Sequence, residues 1–207
     1  IWFFNMRITD IEVNEEGLYF YPKELKEEII KPSFKASKKV NLLVGYFSID
    51  SFLPIIEGLE VFFNNDGIVN VNIGVPKSGL DPHNKKLVEA LRLAESNDEI
   101  VKAYTDEIIY QAGRLENELR KDRIRMFAYL IKKGSVNVKF SILKDAHVHT
   151  KIFIFEDVDN GLAVSGAANF SVNAFESDHN NMHVFQSYED EKTAKQFKKL
   201  KNKVERY

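Results

Sequence analysis

The chain has 207 residues, enough for one domain with a sizeable core, and its hydrophobic fraction of 44% is typical of a globular protein. The absence of cysteine excludes disulfides, thiolate metal sites and cysteine nucleophiles. A net charge of −2 argues against a protein that coats nucleic acid through bulk charge, although a local basic groove is compatible with it. No membrane-spanning run or secretory signal is visible, so we expect a cytoplasmic protein. Because the chain starts at Ile1 and stops inside a lysine-rich pattern at Tyr207, we also expect a piece of a longer polypeptide.

The first residues predict a hairpin and a helix. Strand-like runs at 8–13 and 18–21 flank the turn sequence at 14–17, in which Asn and Gly favour a reversal of the chain. Helical spacing over residues 23–31 then predicts a helix that Pro32 ends. These elements form a segment at 1–37 that we expect to pack on the main domain.

A strand, a helix and a second strand follow, which together predict parallel pairing. The mostly apolar run at 40–47 is typical of a strand that is covered on both faces. We expect Asp50 to cap the helix that comes next, and the largely alternating run at 68–75 predicts the second strand. The fold class is therefore predicted to be α/β, with a mixed central sheet flanked by helices.

The rest of the chain predicts a helical insertion and then more strands. Helical periodicity over 85–133, with breaks near 96–98 and at Gly134, indicates an insertion at about 81–134 within a main domain at 38–207. Further strands are predicted at 136–143, 148–155, 162–164 and 182–185, and a lysine-rich helix from about residue 189. A solvated outer face is the preferred interpretation of that lysine run, and contact with phosphates is the alternative.

Polar residues with catalytic potential lie close together in the last third of the chain. Because side chains alternate along a strand, His149 and Lys151 are expected to share one face. A tight turn at 159–161 would bring the next strand back beside them. The small residues at 165–168 would then let backbone amides approach an anion, and Asn169 would offer a side-chain amide to a phosphoryl oxygen.

This arrangement resembles the signature of the phospholipase D superfamily, which is His-x-Lys, four residues, Asp and then Gly-Ser-x-Asn. The match consists of His149-Thr150-Lys151 and of Gly166 and Asn169. The order of elements over residues 38–207 is similar to the nuclease and helicase-linked branch of that superfamily.

The chain departs from this signature at several positions. Glu156 stands in the Asp slot, while Ala167 replaces the signature Ser and Ser165 lies on the other side of the glycine. The slot for a downstream Glu that orients the histidine reads Asn180. Neighbours that we expect to substitute for that Glu are Asp178 and His183.

The resemblance implies a phospholipase D-like fold and a metal-independent phosphodiesterase that uses no cofactor. His149 would attack phosphorus to form a phosphohistidine, and a second histidine would protonate the leaving oxygen. Lys151 and Asn169 would hold the non-bridging oxygens. Because the chain carries one credible copy of the motif, the second histidine is expected from a homodimer partner. DNA is the expected substrate, and a fused or partner helicase or recognition domain fits the same branch.

Several alternatives stay open. His147 would lie on the same strand face as His149, which is preferred because it alone has Lys two residues on. His83-Asn84-Lys85 repeats the tripeptide but precedes no apolar strand, so it is interpreted as a surface turn. The missing Ser and Glu leave room for a catalytically inactive DNA-binding or dimerisation module. A lipid phosphodiesterase is the other enzymatic alternative.

Overall fold

The computed structural model describes residues 6–45, 47, 49–76, 93, 95–113, 118–143 and 151–207. The strands in these residues are β1 (Leu18–Tyr19), β2 (Lys39–Val44), β3 (Ile68–Pro76), β4 (Val136–Leu143), β5 (Lys151–Glu156), β6 (Gly161–Gly166) and β7 (Met182–Gln186). Within the described residues these seven strands form one sheet in the order β1-β7-β6-β5-β2-β3-β4. Strands β2, β3 and β4 are parallel, whereas β5, β6, β7 and β1 pair antiparallel with their neighbours. The predicted mixed sheet is confirmed.

Helices cover both faces of this sheet. They are α1 (Pro22–Glu24), α2 (Lys31–Ala36), α3 (Ile56–Asn64), α4 (Asn97–Gly113), α5 (Glu118–Lys133), α6 (Val172–Glu176) and α7 (Glu191–Glu205). Asp190 caps α7, because its side chain accepts hydrogen bonds from the N–H groups of Lys192 and Thr193. No helix in the described part of the chain is long and apolar enough to cross a membrane.

The two faces of the sheet carry different apolar clusters. Phe153 and Phe155 of β5 point into the larger one, where they meet Phe34 of α2 and Phe62 of α3. Ile152 and Ile154 of β5 point the other way and belong to the smaller cluster, which also contains Phe197 and Val204 of α7. Side chains of β5 therefore alternate between two covered faces, which explains the unbroken apolar run from Ile152 to Phe155.

The predicted N-terminal hairpin is wrong. Residues Ile8–Asp10 form a 3₁₀ turn, and β1 pairs with β7 instead. The side-chain amide of Asn14 explains the difference, because it donates to the carbonyl of Leu18 at 3.0 Å and accepts from its N–H at 3.1 Å. One side chain thus satisfies the backbone groups that a second strand would have satisfied. Ile8 and Ile11, three residues apart, are buried in the larger cluster.

Pro32 does not end the first helix, contrary to the prediction. A π-helical turn at Leu25–Ile30 connects α1 to α2, and α2 contains Pro32 and continues to Ala36. Proline in a regular helix clashes with the carbonyl four residues earlier, and the wider π turn relieves this clash because its hydrogen bonds span five residues. The Lys31 N–H donates to the Lys26 carbonyl in this way.

The element that follows β2 also differs from the prediction. Asp50 lies inside a 3₁₀ segment, Ile49–Ile55, and α3 begins at Ile56. Pro54 has no N–H to donate to the Asp50 carbonyl, so a regular α-helical turn cannot form there. The strand that precedes it stops at Val44, three residues earlier than predicted.

The strands predicted at 68–75, 136–143 and 182–185 agree with β3, β4 and β7 to within one residue at either end. Helices α4 and α5 fall in the predicted insertion, and Asn97 and Gly134 mark the expected breaks. Gly134 takes a left-handed φ of 80°, which ends α5 before β4 begins. Residues 77–92 of the insertion, including His83, lie outside the described residues.

Candidate functional site

The strands that carry the predicted site residues meet at one edge of the sheet. Lys151 begins β5 and pairs with Gly166, which ends β6. Leu43 pairs with Ile152, so the same register places Val44, the last residue of β2, opposite Lys151. The parallel strands β3 and β4 end at this edge too, which we call the site edge. Ligands of α/β proteins commonly bind at the carboxyl ends of parallel strands.

His149 lies two residues before β5, in the segment 144–150, which is outside the described residues. The competing His147 lies in the same segment. The segment leads into β5, which starts at the site edge.

Lys151 lies on the face of the sheet that carries Phe153 and the larger apolar cluster. Its side chain is half-buried, and this burial lowers the pKa of the ammonium group. The described residues place no carboxylate within ion-pair distance of it. A desolvated cation without an anionic partner attracts an anion, so Lys151 is suited to hold a phosphoryl oxygen.

Asn169 lies in the loop after β6 and is tied to the end of β2. Its Oδ1 accepts a hydrogen bond from the Gly45 N–H at 3.2 Å. The next residue, Phe170, is fully buried, and its ring centroid is 5.5 Å from that of Phe153. This anchor holds the Asn169 loop over the sheet face on which Lys151 lies. The two residues are therefore brought to the same edge and face.

Gly166 is required where it stands, because a Cβ there would lie 2.0 Å from the Asn181 carbonyl oxygen. The backbone of residues 181–182 therefore packs directly against the end of β6. The N–H of Ala167 donates to the same Asn181 carbonyl at 3.3 Å. The Ala167 side chain is exposed at the site edge.

Two supporting candidates lie on the opposite face. Ser165 pairs with both Ile152 and His183, and residues paired in register point to the same side of a sheet. That side is the α7 face, whose cluster contains Ile152. His183 is exposed there and stacks on Phe185 at a centroid distance of 6.2 Å. The structure does not bring Ser165 or His183 to Lys151.

Asp178 and Asn180 lie in the exposed loop between α6 and β7, near the site edge. The Asn180 side-chain amide donates to the Asp178 carbonyl at 3.4 Å, and the Asp178 N–H donates to the Asn173 carbonyl at 2.8 Å. In the same loop, the ring of His179 makes an edge contact with Tyr21 at 5.3 Å. Sequence reasoning did not single out His179.

Glu156 lies at the other end of β5, about 17 Å from Lys151 for five residues of extended chain. Its carboxylate forms an ion pair with Lys201 of α7 and accepts a hydrogen bond from Asn41. The following residue, Asp157, organises the turn, because its Oδ1 accepts from the N–H groups of Asp159 and Asn160. These carboxylates hold the β5–β6 turn and α7 in place and are remote from the site edge.

Sequence reasoning missed the role of Gly45 as the backbone partner of Asn169. The available signal was a glycine inside an apolar strand pattern, which often marks a close approach of other groups to the backbone. Among the described residues, no group of three or more His, Asp or Glu side chains is placed to hold a metal ion.

Part of the chain is similar in sequence to a known protein family, and its fold is similar to a solved structure. Residues 119–206 match the family model of the NgoFVII restriction endonuclease N-terminal PLD domain. The crystal structure of phosphatidylserine synthase from Haemophilus influenzae Rd KW20 is similar at a TM-score of 0.50 and 15% identity, over 86% of this chain and 35% of that one. NucT from Helicobacter pylori aligns at a TM-score of 0.46 and 14% identity, over 91% and 92% of the two chains. No curated protein sequence matches the chain.

The chain is thus similar in fold to the phosphatidylserine synthase and, over residues 119–206, similar in sequence to a PLD domain. The matched segment at residues 119–206 runs from α5 to α7 and includes Lys151, Gly166 and Asn169. The predicted fold class is confirmed, and the match over residues 119–206 supports the predicted resemblance. The chain spans about a third of the length of the phosphatidylserine synthase.

Proposed function

We propose that the domain is a phosphodiesterase that cleaves DNA, acting as a metal-independent endonuclease in the cytoplasm. The observation that carries this proposal is that Lys151 and Asn169 lie at the same edge and on the same face of the sheet. Lys151 is a half-buried cation without a carboxylate partner among the described residues, and it follows directly after the segment that carries His149, while the side chain of Asn169 is anchored to Gly45. The match to a restriction-endonuclease domain supports DNA as the substrate.

In the proposed mechanism, a ring nitrogen of His149 attacks phosphorus and the bond to the leaving oxygen breaks. A second histidine gives its proton to that oxygen and then takes a proton from water, which attacks the phosphohistidine and releases His149. Lys151 and Asn169 hold the non-bridging oxygens on which negative charge accumulates. Histidine suits both roles because its ordinary pKa of about 6.5 is near neutral pH.

The second histidine is proposed to be His149 of another copy of this chain. A two-fold axis at the site edge would place two His149, two Lys151 and two Asn169 residues around one phosphate. Of the two histidines in the described residues, His183 lies on the face opposite Lys151 and the ring of His179 contacts Tyr21.

The test is a nuclease assay with purified protein in excess chelator. Wild-type protein is expected to cleave duplex DNA, and His149→Ala is expected to abolish cleavage while the protein unfolds at the same denaturant concentration. Replacing His83 by Ala is the matched control, because that tripeptide lacks the strand context, and it should leave cleavage unchanged. Loss of wild-type cleavage in chelator would argue against a metal-independent site. A parallel assay on phospholipid vesicles separates DNA from lipid substrates.

A catalytically inactive DNA-binding or dimerisation module is the second candidate. It is favoured by the exposed methyl group of Ala167 where the family has a hydroxyl, and by the Asn180 amide, which is directed at the Asp178 carbonyl.

Restoring the family serine distinguishes the two candidates. Because Ala167 is exposed, Ala167→Ser should fold with a stability within about 0.5 kcal/mol of wild type. If the domain is an enzyme, the added hydroxyl should preserve or raise the cleavage rate. DNA binding without cleavage in wild type, Ala167→Ser and His149→Ala alike would instead identify the inactive module.

A further inference from the structure

Helix α7 presents a row of basic side chains on one face. The residues follow one another at intervals of three or four, which places them in line along a helix. They are Lys192, Lys195, Lys199, Lys203 and Arg206, and we call them the basic row. All are exposed except Lys203, which is partly exposed.

Most of the basic row is not neutralised. Lys195 forms an ion pair with Glu191 at 2.6 Å. Among the residues that the structure describes, the other four members have no carboxylate within ion-pair distance. Lys201, on the inner side of the helix, contrasts with them because it pairs with Glu156. Aligned like charges repel one another, so folding of the helix alone gives no reason for this arrangement.

The basic row leads towards the site edge. Near its middle, α7 packs Phe197 against Gly161, at the end of β6 remote from Gly166. After its end, the carbonyl of Tyr207 accepts a hydrogen bond from the Ser141 hydroxyl at 3.0 Å. Ser141 lies two residues before the end of β4, which is at the site edge. The row therefore crosses the sheet obliquely on the face opposite Lys151, and its Arg206 end is the end nearer to the level of the site edge.

We propose that the basic row binds the phosphate backbone of the DNA whose scissile phosphate lies at the site edge. A 15-residue helix is about 22 Å long, a distance over which one DNA strand presents about six phosphates. The net charge of the chain is −2, so this row is a local attraction for a polyanion on an otherwise weakly acidic molecule. The inference rests on the proposed function, because it names where the substrate of that site continues.

The test measures the affinity of a fluorescently labelled DNA duplex at several KCl concentrations. All proteins carry His149→Ala, so that the duplex stays intact. The row variant adds Lys192→Gln, Lys199→Gln and Lys203→Gln.

The control variant adds Lys35→Gln, Lys38→Gln and Lys132→Gln, which remove the same charge at the opposite edge of the sheet. Lys35 is in α2 and Lys38 lies just before β2, while Lys132 is in the last turn of α5, which precedes β4.

Loss of three phosphate contacts should reduce the slope of log affinity against log salt by about 2.7, and the affinity near 0.1 M salt by roughly ten- to a hundredfold. The control variant should keep the parental slope and affinity. Equal losses in the two variants, or no DNA binding by the parent, would overturn the proposal. So would a row variant that binds DNA like the parent but no longer binds vesicles containing an anionic lipid.

The two proposals can fail separately. If cleavage depends on His149 but the row variant keeps the parental salt slope, only the basic-row proposal is excluded. If the salt slope falls as expected but the protein never cleaves DNA, the basic-row proposal is supported and the proposed catalytic function is excluded.

Discussion

At the scale of single residues, Asn169 combines a structural and a chemical role in one side chain. Its Oδ1 holds the Gly45 N–H, while the amide nitrogen is the group proposed to bind a phosphoryl oxygen. Asn169→Asp keeps an acceptor for Gly45 but replaces the donor by a negative charge. We therefore expect a folded protein whose cleavage rate falls by about 10²–10³, measured as kcat on duplex DNA.

Asn169→Ala is the comparison for this variant. It removes the acceptor as well, so it should lose the same activity and also about 1–2 kcal/mol of stability in urea unfolding. An Asn169→Asp protein that cleaves at the wild-type rate would exclude the amide from phosphate binding.

Lys151 makes a prediction that depends on pH. Burial lowers its pKa in the folded protein below the ordinary value of 10.5, so the unfolded chain binds the proton more tightly. The charged lysine therefore costs stability at neutral pH, and this cost disappears as the pH rises through the folded pKa towards 10.5. At pH 7, Lys151→Met should unfold at a higher urea concentration than wild type. The gain in the free energy of unfolding should be at most about 1 kcal/mol, because solvent still screens the ammonium group. The difference from wild type should shrink at alkaline pH, while cleavage is lost at all pH values.

An exposed lysine of α5 provides the control for this measurement. Lys132→Met removes the same charge and adds the same side chain, but on a solvated surface. It should keep activity and show no such pH-dependent gain. A Lys151→Met protein that is less stable than wild type at pH 7 would mean that the ammonium group has a compensating partner.

At the scale of elements, the end of β6 depends on how closely the backbone of residues 181–182 approaches it. Gly166→Ala places a methyl group 2.0 Å from the Asn181 carbonyl oxygen, a backbone atom that cannot rotate away as a side chain can. We expect a loss of about 2–3 kcal/mol in urea unfolding. Ala167→Ser, one position further on and exposed, is the control and should change stability little. A Gly166→Ala protein as stable as wild type would show that residues 181–182 can move away from β6.

Elements also show why sequence patterns failed at particular places. The runs at 8–13 and 18–21 have strand composition, yet the Asn14 side chain replaces the partner strand and β7 supplies the pairing. Neither a side chain that bonds to backbone groups in place of a strand nor a π turn that accommodates Pro32 leaves a periodic signal in the sequence. The strands β3, β4 and β7 were predictable because apolar alternation or a buried run reports the covered faces directly.

At the scale of the whole molecule, the proposed homodimer predicts how activity falls when subunits are mixed. If each site needs His149 from two copies, only wild-type homodimers cleave DNA. After subunit exchange with an equal amount of His149→Ala protein, activity should be about one quarter of that of the same total amount of wild-type protein, whereas independent sites would keep about one half. The measurement is the cleavage rate against the wild-type fraction, and a linear dependence would exclude a shared site.

A second mixture serves as the control for subunit exchange. Mixing wild type with His83→Ala, which leaves the proposed catalytic histidines in place, should keep full activity at every ratio. Light scattering on both mixtures would verify that the dimer is the species measured.

The sequence by itself determined the α/β class, the strands of the sheet and the motif residues His149, Lys151, Gly166 and Asn169, because periodicity and local spacing are properties of the chain. Tertiary structure decided which of the candidates can act together. Register placed Ser165 and His183 on the face opposite Lys151, and strand length placed Glu156 at the remote end of β5 beside Lys201. The contact between Asn169 and Gly45 joins residues 124 positions apart, and no local pattern records such a contact. Faces and edges of a sheet exist only once its strands are paired. The sequence therefore names the candidate residues, but it does not show which of them share a face and an edge.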